Sequence, residues 1–158
     1  MLIGDGDLDD LRVRALLERH VSRARAQTAP GSAHALDVDQ LRSADVSFFA
    51  AWDAGALLGV AALKLLSGGH GEVKSMYTAE EARRRGVATA LLSHIVAAAR
   101  GMGLRRLSLE TGSWDYFEPA RNLYRRFGFR DCTPFGDYRP DPNSVFLTLE
   151  LREPLTPP

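Results

Sequence analysis

Hydrophobic positions recur along this chain in two patterns, one typical of helices and the other typical of strands. Helical spacing predicts helices over Leu8 to about Ala26, Val87 to Met102 and Pro119 to Phe127. Shorter alternating or continuously apolar runs predict strands over Met1 to Ile3, Val46 to Trp52, Ala56 to Leu66, Glu72 to Thr78, Leu104 to Glu110, Phe129 to Cys132 and Val145 to Leu151. This order of elements predicts an α/β fold with a mixed central sheet.

Turn and capping residues mark where several of these elements begin. Asp7 is a candidate N-cap for the first helix, and Asp37 is one for a shorter helix in which Leu41 faces inward. The segment from Thr78 to Glu81 matches a capping box and predicts a preliminary helical turn before the central helix. Pro119 suits the first position of the last helix, because the N–H that proline lacks is not needed there.

The strand that precedes the central helix alternates regularly. This alternation predicts one face formed by Val73, Ser75 and Tyr77, and another formed by Glu72, Lys74 and Met76. The central helix leads from this strand to the next, and a short strand–helix–strand connection makes a right-handed parallel crossover. The two strands are therefore predicted to run parallel.

The composition narrows the possible functions. The chain has 158 residues, which suits a single domain over 1–158, and its formal net charge is zero. A neutral chain argues against nucleic-acid binding as the main function. The chain has one cysteine, Cys132, so neither an internal disulfide nor a zinc cluster is indicated. The lack of a membrane-length apolar run and an acidic N-terminus unlike a signal peptide predict a cytoplasmic protein.

The segment from Arg83 to Thr89 lies at the start of the central helix. The first N–H groups of a helix have no partner within the helix, so a helix start is a natural binding site for anions. Gly86 lets a ligand approach the backbone closely, and Ala88 is nearly as small. Three consecutive arginines add positive charge where the helix dipole is already positive. The segment predicts a polyphosphate site, although a solvated basic turn would have the same pattern.

Two motifs resemble signatures of the GCN5-related N-acetyltransferase (GNAT) superfamily. The residues Arg83-x-x-Gly86-x-Ala88 match its Gln/Arg-x-x-Gly-x-Gly/Ala signature. Farther along the chain, the segment from Leu123 to Phe129 matches the Leu-Tyr-x-x-x-Gly-Phe signature. The resemblance implies the GNAT acyl-CoA N-acyltransferase fold, with helices on both faces of the sheet and two parallel strands that splay apart. It also implies acetyl-CoA as the co-substrate.

The resemblance further implies how acetyl-CoA would bind. The pantetheine arm would lie along the backbone of Ser75, Met76, Tyr77 and Thr78, with the Met76 amide polarising the thioester carbonyl. The residues implied for the pyrophosphate are Arg83, Arg84, Arg85, Gly86, Val87, Ala88 and Thr89. Phe117 departs from the family, since many relatives carry an asparagine there that contacts the pantetheine arm.

Two catalytic roles also follow from the resemblance. Glu72 would be the general base that takes a proton from the amine, and Tyr124 would be the general acid that protonates the leaving thiolate. A salt-bridged Glu72 and a core Tyr124 are the structural alternatives. His70 and His34 are rival bases, because histidine titrates near neutral pH, although each lies in a predicted loop. Cys132 has no evident histidine partner, which argues against an acyl-cysteine route.

The resulting hypothesis is an N-acetyltransferase that moves an acetyl group to a primary amine of a small molecule, by direct transfer in a ternary complex. The alternatives are a protein or peptide N-acetyltransferase and a non-catalytic acyl-CoA-binding module. No nucleic-acid, membrane or metal partner is expected. Loop aromatics would wall the acceptor site, cap the core or form a homodimer surface. These aromatics are Trp114, Tyr116, Phe117, Phe135 and Tyr138.

Overall fold

A computed structural model describes residues 1–33 and 37–151 of the chain. Its strands are β1 (Leu2–Asp5), β2 (Val46–Asp53), β3 (Ala56–Leu65), β4 (His70–Thr78), β5 (Arg106–Gly112), β6 (Arg130–Asp131) and β7 (Ser144–Glu150). Its α-helices are α1 (Leu11–Ala26), α2 (Val38–Leu41), α3 (Val87–Gly101) and α4 (Glu118–Arg126). Short 3₁₀ turns at Glu80–Ala82 and Asp115–Phe117 precede α3 and α4.

The mixed α/β sheet predicted from the hydrophobic pattern is confirmed. The described strands form one sheet in the order β1-β2-β3-β4-β5-β7-β6. Strands β4 and β5 are parallel, and the other neighbouring pairs are antiparallel. The helix α3 connects β4 to β5, as the predicted parallel crossover requires.

The first helix begins later than the sequence pattern indicated. Helix α1 starts at Leu11, and its N-cap is Asp10, whose side chain accepts a hydrogen bond from the Arg12 N–H. Asp7 instead accepts a hydrogen bond from the Asp9 N–H at 2.8 Å, in a turn that precedes the helix. The prediction of Asp7 as the N-cap is therefore wrong, because this turn uses its carboxylate.

Of two other predicted helix caps, one is confirmed and one is wrong. Asp37 caps α2 in a full capping box with Gln40, as predicted for the N-cap. The capping box predicted over Thr78 to Glu81 is wrong, although a helical turn does form there. The N-cap position falls on Ala79, whose methyl group cannot accept a hydrogen bond.

Helices cover both faces of the sheet, with α3 on one face and α1 on the other. A Cβ placed on Gly59 of β3 would lie 3.0 Å from Val87 and 3.1 Å from Leu91, which are both on α3. On the opposite face, the ring of Tyr77 in β4 packs 5.0 Å from the ring of His20 in α1. Within the described residues, no helix combines the length and apolar character that crossing a membrane would require.

Strand β4 contains a bulge opposite β3. Ala62 pairs with Lys74 and Val60 pairs with Tyr77, so β4 has an extra residue over this interval. Ser75 lies at the bulge with φ at 54°, in the left-handed region that is uncommon for a residue with a side chain. The bulge therefore bends β4 just where it approaches α3.

The bulge overturns the predicted faces of this strand. The alternation in the sequence placed Tyr77 with Val73 and Ser75, but the pairing register places Tyr77 on the α1 face with Glu72 and Lys74. Val73 pairs with a leucine of β3 on the α3 face. An extra residue reverses the alternation of every position that follows it.

Strands β4 and β5 separate after a short parallel ladder. In the described sheet, this ladder joins His70 to Arg106, Gly71 to Leu107 and Glu72 to Ser108. Strand β4 then continues to Thr78 and β5 continues to Gly112, with a gap between them. The splayed parallel strands implied by the GNAT resemblance are therefore present.

Candidate active site

A cavity of about 650 Å³ lies in the gap between the splayed ends of β4 and β5. Residues from the start of α3, from α4 and from α1 also line it. The predicted site residues in its lining are Glu72, Ser75, Met76, Tyr77, Thr78, Arg83, Arg84, Gly86, Val87, Ala88, Thr89 and Tyr124. The fold thus brings two distant sequence motifs to one cavity.

The start of α3 is open toward this cavity. Its N-cap is Gly86, and among the described residues no side chain caps the helix and no acidic residue lies in its first turn. A Cβ placed on Gly86, which has φ at 77°, would meet no described atom within 4 Å. Arg84 is also left-handed, with φ at 63°, and backbone strain of this kind is common at functional sites. The first N–H groups of α3, together with Arg83 and Arg84, can bind an anion such as a phosphate.

Arg85 departs from the predicted phosphate set, since it is not among the described residues that line the cavity. Its guanidinium lies 3.3 Å from the carboxylate of Asp53, at the end of β2. The left-handed turn at Arg84 and Gly86 points successive side chains in different directions. Two of the three consecutive arginines therefore contribute positive charge to the cavity.

Tyr124 reaches the cavity from α4. The helix is bounded by Pro119 near its start and by Gly128, with φ at 99°, just after its end. Tyr124 is 5 % exposed, and its ring packs 5.8 Å from the ring of Phe129. Burial and the charge of Glu110 raise the pKa of the Tyr124 hydroxyl, so it stays protonated at neutral pH. This hydroxyl can therefore donate a proton or a hydrogen bond.

Phe117 lines the cavity beside the end of β5. A Cβ placed on Gly112 would lie 2.1 Å from the Phe117 ring, so glycine at this position leaves room for the aromatic side chain. Arg121 holds the neighbouring backbone by donating to the carbonyl oxygens of Gly112 at 2.7 Å and Trp114 at 2.9 Å. Phe117 thus supplies apolar surface at the position where the GNAT resemblance implied a polar contact to the pantetheine arm.

We expect Gly112→Ala to destabilise the protein by roughly 1–3 kcal/mol, because the added methyl group overpacks against Phe117. Calorimetric unfolding should show a lower Tm. The control is Gly101→Ala at the end of α3, where a Cβ would meet no described atom within 4 Å and the Tm should hold or rise. An unchanged Tm in Gly112→Ala would show that Phe117 can move aside without cost.

Glu72 lies in a polar cluster on the α1 face of the gap. It is 4 % exposed, and its Oε2 accepts a hydrogen bond from the Tyr138 hydroxyl at 2.6 Å. The same oxygen lies 3.4 Å from the Lys74 Nζ, which in turn donates to the Tyr138 hydroxyl at 2.8 Å. Glu72 is therefore both a buried, salt-bridged carboxylate and part of the cavity lining.

Glu110 is a second acidic residue of the cavity, and no sequence motif predicted it as a site residue. It follows Ser108 by two positions on β5, and Ser108 pairs with Glu72, so both glutamates lie on the same face. The Ser144 hydroxyl donates to the Glu110 Oε2 at 2.7 Å. Burial raises the pKa of Glu110 to about 7, although the bond from Ser144 acts in the opposite direction. A carboxyl group with this pKa is well suited to exchange protons near neutral pH.

The rival catalytic residues have different positions from those expected. His70 begins β4 instead of lying in a loop, and its Nε2 lies 2.6 Å from the Ser108 Oγ. Burial lowers the pKa of His70, and neither it nor Cys132 is among the described residues that line the cavity. His34 lies outside the described residues. His20 on α1 was not identified from the sequence, yet it lines the cavity, and its burial lowers its pKa to about 4.

The loop aromatics serve partly as the predicted wall of the cavity. Those in its lining are Tyr116, Phe117 and Tyr138. Phe135 packs behind Tyr138, with the ring centres 5.1 Å apart. Trp114 is 45 % exposed and so is not part of the core.

Comparison with known proteins shows the family of this chain. Residues 14–129 match the acetyltransferase (GNAT) family. The chain is 47 % identical over 145 residues to the uncharacterized N-acetyltransferase YsnE of Bacillus subtilis, covering 92 % of this chain and 96 % of YsnE. It is 49 % identical over 147 residues to the uncharacterized N-acetyltransferase YedL of Escherichia coli, covering 93 % of this chain and 92 % of YedL. The structure of a proposed acyl-CoA N-acyltransferase from Klebsiella pneumoniae matches with a TM-score of 0.81 at 30 % identity. The match covers 96 % of this chain and 97 % of that protein. The chain therefore belongs to the GNAT family and is an N-acetyltransferase.

Proposed function

We propose that this protein transfers the acetyl group of acetyl-CoA to a primary amine of a small molecule, by direct attack within a ternary complex in the cytoplasm. The observation that carries the proposal is one cavity that joins an open helix start to the gap between two parallel strands. An extended thioester with phosphates at one end complements such a cavity in shape and charge.

The coenzyme would bind mainly through the backbone. The edge of β4 from Ser75 to Thr78 lies beyond the ladder to β5, so its N–H and C=O groups can pair with the amides of a pantetheine arm. The N–H of Met76 is the candidate donor to the thioester carbonyl. The pyrophosphate would meet the N–H groups and Thr89 hydroxyl at the start of α3, with Arg83 and Arg84 as charged partners.

The chemical step needs a base and an acid on opposite sides of the thioester. The amine nitrogen forms a bond to the carbonyl carbon, and the C–S bond then breaks. Glu72 or Glu110 takes the proton from the amine, while Tyr124 gives its proton to the departing sulfur. The products are an amide and the free thiol of CoA. Solvent then takes up the proton held by the glutamate and returns one to the Tyr124 oxygen.

We call the part of the cavity on the α1 face of the sheet the acceptor side. Its loops favour a small molecule over an extended peptide. Here the loop after α1 is joined to the loop before β7: Ser32 donates to Asp141 at 2.7 Å, and Asn143 donates to Ser32 at 3.4 Å. Ser32 and Tyr138 belong to these two loops and both line the cavity. The joined loops restrict the access that a polypeptide acceptor would need.

A thiol-release assay tests the proposed function. Acetyl-CoA is combined with a panel of primary amines, amino acids and peptides, and CoA binding is measured separately by calorimetry. We expect CoA to bind and thiol to be released with at least one small amine. Release with peptides alone would change the acceptor class, and binding without release would indicate a non-catalytic module. A lack of CoA binding would refute the proposal.

We expect Gly86→Asn to weaken CoA binding by about tenfold or more, as for the loss of a hydrogen bond to a charged group. Asparagine tolerates the left-handed backbone of Gly86, but its side chain would occupy the open space at the helix start. The matched control is Gly103→Asn beyond the other end of α3, where φ is 75° and a Cβ would likewise meet no described atom within 4 Å. Calorimetry on both folded variants gives the Kd, and equal Kd values would contradict the phosphate site.

A further inference from the structure

The acceptor side of the cavity has its own wall. His20, Ala24 and Thr28 follow one stripe of α1 and its C-terminal extension, and all three line the cavity. They lie across from Tyr77 of β4, whose ring packs against His20. This wall is on the face of the sheet opposite α3, where the CoA phosphates are proposed to bind. An acceptor therefore has a separate approach, between α1 and β4.

Unsatisfied hydroxyl groups lie in the cavity lining, and two of them belong to the wall between α1 and β4. Three lining oxygens are buried and have no hydrogen-bond partner within residues 1–33 and 37–151: Thr28 Oγ1, Ser75 Oγ and Tyr77 Oη. Ser75 is 7 % exposed and Tyr77 is 6 % exposed. Buried hydroxyl groups are nearly always paired in folded proteins, because an unpaired one is costly. A ligand with a hydroxyl group of its own would satisfy Thr28 and Tyr77, since each hydroxyl can donate and accept.

The charges on the acceptor side favour a cation. Glu72 and Glu110 both line the cavity there, while the Nζ of Lys74 lies 3.4 Å from the Glu72 carboxylate and offsets that charge. His20 is neutral near pH 7, because burial and Lys74 lower its pKa. The other cationic residues in the described lining are at the start of α3 or on α4, namely Arg83, Arg84 and Arg126. Where Glu110 is ionised, above about pH 7, the acceptor side therefore attracts an ammonium group and repels a carboxylate.

We propose that the acceptor is a hydroxylated primary amine without a carboxylate, such as an amino alcohol or an amino sugar. Its amine lies toward Glu72 and Glu110, and its hydroxyl exchanges hydrogen bonds with Thr28 and Tyr77. The inference rests on the proposed acetyl transfer and narrows its acceptor class. A site with polar groups to satisfy discriminates strongly against a ligand that lacks the matching group.

Three amines of similar length test the proposal: aminopropanol, butylamine and β-alanine. They share a primary amine and end in a hydroxyl, a methyl and a carboxylate group, respectively. We expect kcat/KM for aminopropanol to exceed that for butylamine by about tenfold or more, with β-alanine the poorest acceptor. The same order is expected when the three amines are titrated calorimetrically into the protein–CoA complex.

Variants locate the hydroxyl contact. Thr28→Val and Tyr77→Phe should each lower the ratio of kcat/KM for aminopropanol to that for butylamine by about fivefold, the usual effect of one hydrogen bond. Ser22→Ala removes an exposed hydroxyl elsewhere on α1 and should leave this ratio unchanged. The Kd for CoA is measured in each variant, so that weaker coenzyme binding is not mistaken for a change of acceptor.

The acceptor proposal and the proposed function can fail separately. Butylamine or β-alanine as the preferred acceptor would overturn the acceptor class while leaving acetyl transfer in place. Failure of all three amines to bind the protein–CoA complex would also overturn it. An unchanged ratio in both Thr28→Val and Tyr77→Phe would remove these hydroxyls from the site. The proposed function fails if the broad panel gives no thiol release at all.

Discussion

Tyr124→Phe should lower kcat by about 10²-fold, because general acid catalysis is typically worth ~10²–10⁴-fold and water can partly substitute. The substitution removes the hydroxyl and keeps the ring, which is 5 % exposed and packs against Phe129. CoA affinity and the Tm should therefore change little. The hydroxyl is held protonated by burial and by Glu110, both of which raise its pKa, so it has a proton to give throughout the neutral range.

The measurement is kcat for thiol release under conditions where chemistry limits turnover, which a kcat independent of solvent viscosity establishes. Tyr116→Phe is the comparison variant, since it removes another hydroxyl from the described lining and should have a much smaller effect. Full kcat in Tyr124→Phe would contradict the acid role. Tyr124 would then be a core aromatic residue alone.

Glu110→Gln should lower kcat/KM by about 10²-fold above pH 7 and remove the acid limb of its pH profile. Burial raises the pKa of Glu110 to about 7, so below this pH the carboxyl group already carries a proton and cannot accept one. The wild-type rate should therefore rise as the pH increases through 7. Glutamine cannot accept the proton at any pH, so the corresponding step in the profile should disappear.

The stability of the two proteins gives an independent check of this ionisation. The pKa of Glu110 near 7 in the folded protein lies above the ordinary glutamate value of 4.5, so stability falls as the pH rises from about 4.5 to about 7. Glu110→Gln should therefore lose less stability than the wild type between these pH values.

Glu72→Gln is the matched kinetic control on the neighbouring strand. Loss of the acid limb in Glu72→Gln alone would assign the base to Glu72, as the sequence predicted.

The sequence by itself determined the features that depend on residues close together in the chain. Hydrophobic periodicity predicted α3 and its start at Val87, because an amphipathic stripe is a local property of a helix. The motif around Gly86 and the one around Tyr124 predicted a helix start and a buried tyrosine that both line one cavity. Their GNAT resemblance also predicted the splayed strands, although no local pattern in β4 or β5 indicates where their pairing ends.

Only the tertiary structure decided which side chains line the cavity between β4 and β5. The bulge at Ser75 depends on the register of β4 against β3, and it moves Tyr77 to the α1 face. Glu110 meets the site because β5 runs beside β4, and the pairing of Glu72 with Ser108 puts both glutamates on one face of the sheet. Register and strand separation are set by contacts between segments far apart in the chain. Local spacing does not encode those contacts, so the fold alone assembles the acceptor side.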